Sequence, residues 1–84
     1  MKAKIIHDFE YFKNLLSRDG FLDGDDYTVA LIEFKFNWYK GKVLNVTPVE
    51  PMISPNGRKL PSRYSFITGN ETFCIYPEML EFLD

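Results

Sequence analysis

Apolar residues recur at helical spacing in one part of this chain and alternate with polar ones in several others. Phe9, Phe12 and Leu16, with Leu15 widening the stripe, fall on one face of a helix. Asp8 is placed to cap its first turn, Glu10 suits the positive end of the helix dipole, and Asp19-Gly20 supplies a stop. The pattern predicts a helix over Phe9–Arg18. Ahead of it, residues 2–6 form a short strand candidate with Ile5 and Ile6 as its apolar part.

Residues 21–26 are a connection with one glycine and three acids, and the alternation that follows predicts a strand over residues 27–36. Thr28, Ala30, Ile32, Phe34 and Phe36 take one face, and Val29, Leu31, Glu33 and Lys35 take the other. A turn at Lys40-Gly41 leads into a hairpin partner over residues 43–49. Pro48, Pro51, Pro55 and Pro61 keep the next stretch from being a central strand, because proline donates no ladder hydrogen bond. Asn56-Gly57 marks a turn within it. Strands at 64–68 and 71–76 flank a tight loop at Gly69-Asn70, and Pro77 opens a terminal helical turn through Met79, Leu80 and Leu83.

This order predicts an α+β fold over residues 1–84 as a single domain. Its core would be a small, mainly antiparallel sheet of four to five strands with one packed helix and a short C-terminal helix. The alternative is an SH3-like small β-barrel with an added helix, supported by the hairpin expected between Trp38 and Thr47.

Composition narrows the classes. A chain of 84 residues has room for one core, and 45 % hydrophobic with 17 % aromatic content excludes low-complexity disorder. Ten Lys+Arg against twelve Asp+Glu, a net charge of −2, argues against a dedicated duplex-binding protein. The charge is uneven: Arg58, Lys59 and Arg63 form a basic segment, while Glu71, Glu78, Glu81 and Asp84 form an acidic one. Cys74 is the single cysteine, so no intramolecular disulfide forms. With no basic, apolar leader at residues 1–16 and no apolar run near eighteen residues, the expected location is cytoplasmic, away from membranes.

Catalytic and metal chemistry find no constellation. The acids of residues 19–26 fit no calcium-loop register, since starting at Asp19 places Phe21 third and Ala30 twelfth, and starting at Asp23 places Tyr27 fifth. They read as a solvated acidic turn. A nucleophile–base pair would have to come from His7 and Cys74, and Cys74 sits mid-strand as a small hydrophobe. No glycine-rich phosphate loop is present. The expectation is no enzyme, no cofactor and no metal.

Recognition residues are better represented. Trp38, Tyr39 and Lys40 sit in a segment that interleaves aromatics with lysines, and Met52 and Ile53 occupy a proline-rich loop followed by Arg58, Lys59 and Arg63. Trp, Tyr and Arg are enriched where proteins anchor one another. The bland readings are that Trp38 closes the end of the core and that the loop folds back over an open sheet edge. The preferred function is a small protein-binding module or inhibitor that occludes or bridges a larger protein, in the manner of phage-type regulators of host enzymes or defence systems. The alternative is a single-stranded nucleic-acid binder using a basic-aromatic hairpin. A monomer and a homodimer through the edge of the last hairpin are both open.

Overall fold

The computed structural model describes residues 1–22 and 24–83. Asp23, part of the expected acidic turn, and Asp84, part of the acidic segment, lie outside the described residues. The chain begins with strand β1 (Lys2–Ile5), in which Ala3 and Ile5 face the core and Lys2 and Lys4 face outward. Helix α1 (Phe9–Arg18) follows, with the Asp8 carboxylate accepting from the Tyr11 N–H at 3.0 Å. Phe9, Phe12 and Leu15 are its buried side chains.

The end of α1 is closed with unusual completeness. The Leu15 carbonyl accepts from the Asp19 N–H, Leu16 from the Phe21 N–H, Ser17 from the Gly20 N–H, and Arg18 from Asn56 Nδ2. These bonds satisfy the carbonyls that a helix normally leaves open at its C-terminus. Gly20 lies in the left-handed region at φ +79°, and a Cβ there would come within 3.0 Å of Asn56. Two separate constraints therefore require glycine at this position.

The segment expected to be the strand at residues 27–36 is instead helix α2 (Asp26–Tyr39). Asp25 caps it, accepting from the Tyr27 N–H at 3.0 Å and from the Thr28 hydroxyl at 2.9 Å. Gly41, at φ +87°, turns the chain after it. Apolar residues lie on two sides of this helix, which removes the one-sided periodicity that identifies amphipathic helices and leaves a run compatible with a strand buried on both faces. With α2 helical, the hairpin expected between Trp38 and Thr47 is not formed.

Residues 43–49 also depart from the expected single strand. They contribute β2 (Leu44–Asn45) to one sheet and β3 (Thr47–Val49) to another, and the buried Val46 marks the crossing. A short ribbon of β4 (Met52–Ile53) and β5 (Lys59–Leu60) follows, turning at Gly57. Then comes the hairpin of β6 (Arg63–Thr68) and β7 (Glu71–Ile75), with a positive φ at Gly69 as the tight loop requires. Pro77–Met79 is a single 3₁₀ turn, and the chain closes with β8 (Leu80–Phe82) where a helix was expected. Leu80 pairs with Ile5, a partner that proline and leucine spacing near Pro77 does not reveal.

The α+β class therefore holds, with two α-helices and only antiparallel strand pairs among the described residues. The expected sheet of four to five strands is divided into β2-β1-β8, β3-β6-β7 and the ribbon β4-β5. Pro48 lies on β3, an edge strand, where its missing donor is tolerated. The core is an aromatic cluster centred on Phe12, whose ring meets Phe36 at 5.3 Å, Phe73 at 5.8 Å and Tyr76 at 6.3 Å. Phe66 and Phe73 face each other across the β6–β7 ladder at 5.2 Å, a cross-strand pair that fixes register.

Candidate functional site

Helix α2 buries one stripe and exposes another. Val29, Ile32, Phe36 and Tyr39 recur at helical spacing against the core, with Phe36 fully buried and the Tyr39 ring 5.2 Å from Phe66. Tyr27, Leu31, Phe34 and Trp38 recur at the same kind of spacing on the outside, 72 %, 46 %, 70 % and 60 % exposed. A helix that is apolar all round is normally buried all round. Scattered exposed leucines need no explanation, but a continuous row of large apolar side chains marks an interaction surface.

The far end of this row has defined relief. Phe34, Trp38 and Tyr39 of α2, with Lys35 and Thr68, line an open depression of about 270 Å³. Lys35 forms an ion pair with Glu71, which ties the helix to β7. The Lys42 ammonium sits 4.2 Å from the Trp38 ring centroid and 5.7 Å from that of Tyr39. Contacts of this kind contribute about 0.5–1 kcal/mol at exposed sites.

The sequence-derived anchors separate into two groups. Trp38, Tyr39 and the exposed Lys40 lie at the end of α2, where Trp38 faces solvent and Tyr39 packs inward. Met52 and Ile53 lie on the β4–β5 ribbon with Arg58 and Lys59, and Arg63 begins β6. The structure brings Met52 and Arg63 together, the guanidinium Nη2 pointing at the methionine sulfur. Arg58, Lys59 and Arg63 also converge, joined by Arg18 from the end of α1. Trp38 and Tyr39 line one depression, and Arg58, Lys59 and Arg63 line another.

Sequence reasoning missed Tyr27, Leu31, Phe34 and Arg18. The first three were legible as a row with Trp38 at steps of four, three and four residues, once the segment is read as a helix between the Asp25 cap and Gly41. Arg18 carried no local signal. His7 stacks on Tyr11, with ring centroids 4.0 Å apart, and Cys74 lies opposite Ser65 in the β6–β7 ladder.

Asp19 is fully buried at the foot of the Arg18–Arg63 group. Arg18 grips it with Nε on Oδ1 at 3.0 Å and Nη2 on Oδ2 at 2.9 Å, while the Tyr76 hydroxyl donates to Oδ2 at 2.7 Å. Arg58 Nε lies 3.4 Å from Oδ1. The Arg18 hydrogen bonds, then Tyr76 and the two positive charges, hold the Asp19 carboxyl below its ordinary range against the opposing effect of burial. Burial, then the neighbouring carboxylate, pushes the Tyr76 phenol up, so it remains a donor.

Among the described residues no group of three or more His, Cys, Asp or Glu side chains is placed to hold a metal ion, and no helix is long and apolar enough to cross a membrane. The chain matches no protein-family model, no curated protein and no solved structure.

Proposed function

We propose that this chain is a small protein-binding module that docks the outer row of α2 into an apolar groove on a larger protein. The observation that carries this reading is the exposed row of Tyr27, Leu31, Phe34 and Trp38 on a helix whose opposite stripe is already committed to the core. Helix-in-groove recognition uses anchors at this spacing, and aromatic anchors contribute disproportionately to such contacts. Mechanistically, the module occludes the groove it enters.

Single-stranded nucleic acid is the weaker reading. Base stacking needs a free aromatic face with unpaired cations beside it. Here Lys42 already lies over Trp38, and Lys35 is engaged by Glu71.

The test is affinity capture from cells with the wild-type chain and with a Leu31→Glu, Phe34→Glu, Trp38→Glu variant, compared at low and moderate salt. All three side chains are largely outside the core, so circular dichroism of the variant should match the wild type. A protein retained by the wild type at both salts and lost by the variant supports the proposal. A partner held equally by both chains sinks it, and an oligonucleotide released steeply by salt favours the alternative.

A further inference from the structure

Arg18, Arg58, Lys59 and Arg63 come from three parts of the chain and converge on a cavity of about 180 Å³, closed by residues 60–61 and 76–78. Charge on this cavity does not balance. Asp19 lies beneath it and is shared by Arg18 and Arg58. Among the described residues Glu78 on the rim is the only acid lining it, and no carboxylate is paired with Lys59 or Arg63. Four cations thus face two carboxylates.

Arg63 shows the imbalance most directly. Its guanidinium lies 5.5 Å from the centroid of the Phe21 ring, and its Nη2 points at Met52, so the group is held in place by apolar neighbours. Its Nε is buried and has no hydrogen-bond partner. A buried donor without an acceptor is costly, and a fixed guanidinium fork is suited to two oxygens of an oxyanion. The negative pole of α1 does not oppose an anion here, because the carbonyls of residues 15–18 are already taken up by donors.

We propose that this cavity binds a phosphate-class dianion, free or as a phosphomonoester, held by Arg58, Lys59 and Arg63 above the Arg18–Asp19 pair. Two unneutralised positive charges match a dianion, and charge-assisted bonds from guanidinium and ammonium groups supply the hold. The Arg18–Asp19 pair acts as a support that fixes one wall. This site stands apart from the α2 row and does not depend on it.

The experiment is a titration of isotope-labelled wild-type protein with inorganic phosphate at pH 7 and low ionic strength, followed by backbone amide NMR, with chloride at matched ionic strength as reference. Saturable shifts centred on residues 58–63 and 76–78, with a Kd of about 1 mM or tighter, are expected. Arg63→Gln and Arg58→Gln should each weaken binding about tenfold or more, while Lys4→Gln, an exposed cation on β1, should leave it unchanged. The Arg58 side chain is half exposed, so its variant keeps the test standing if Arg63→Gln does not fold. A parallel titration with O-phosphoserine separates the sources: comparable binding assigns an esterified phosphate, and binding of inorganic phosphate alone assigns the free ion. Absence of saturable shifts, shifts reproduced by chloride, or an unchanged Kd in the folded Gln variants overturns the proposal.

Discussion

Replacing Asp19 with asparagine should remove a large fraction of the stability of this fold. The carboxylate is fully buried and accepts two hydrogen bonds from Arg18 and one from Tyr76, with Arg58 close by. Asparagine keeps one acceptor oxygen and turns an amide donor toward groups that are themselves donors. Hydrogen bonds to charged groups contribute about 1.5–3 kcal/mol each. The Arg18 side chain is 35 % exposed and regains water when its partner is lost, which reduces the penalty. A net cost of about 2–4 kcal/mol follows, against a total of roughly 4–13 kcal/mol for a chain of this length. Urea denaturation at pH 7 measures it directly, as a lower midpoint at unchanged slope.

Acid supplies a second readout of the same residue. The Asp19 pKa is lowered in the folded state, so its contribution is fully present above the unfolded value of about 3.9 and is lost as pH falls through the folded value. Wild type and Asp19→Asn should therefore differ most near neutrality and converge below about pH 4. A difference below about 0.5 kcal/mol at pH 7, or one that does not shrink in acid, would refute the reasoning.

Two further perturbations probe the scaffold. Gly20→Ala should lower stability by more than the roughly 1 kcal/mol of a left-handed alanine, because its Cβ also meets Asn56; thermal unfolding reads this as a lower Tm, and a neutral result would mean that Asn56 yields freely. Phe12→Ala opens the centre of the aromatic cluster and should cost about 3–5 kcal/mol in denaturant titration, whereas a loss under about 1 kcal/mol would show the cluster collapsing into the space.

The parts of this fold that were legible in the sequence are those whose signals are local. Helix α1 announces itself through Asp8, the Phe9–Phe12–Leu16 spacing and Gly20, and the β6–β7 hairpin through Gly69-Asn70 between two strands. Helix α2 was obscured by its own outer row: adding Leu31 and Phe34 to a core stripe of Ile32 and Phe36 erases the 3.6-residue period. The same residues that made the helix hard to recognise form the candidate interface. β8 and the split at Val46 depend on distant partners, Ile5 and Ala3 for one and two separate sheets for the other. Of the basic cavity, Arg58, Lys59 and Arg63 stood out as a segment, but Arg18 and the buried Asp19 joined it only through the fold.

The pairing of β1 with β8 also sets an order of events as the chain folds. Helix α1 and the β6–β7 hairpin rest on near neighbours and belong to the microsecond class of elementary steps. Strand β1 has no such partner nearby: one edge waits for Leu44–Asn45 and the other for Leu80–Phe82. Its sheet closes only after long loops have been drawn together, a step whose entropy cost slows folding. Until then Ala3 and Ile5 are uncovered on an unpaired strand, which leaves β1 open to capture by another unfinished chain.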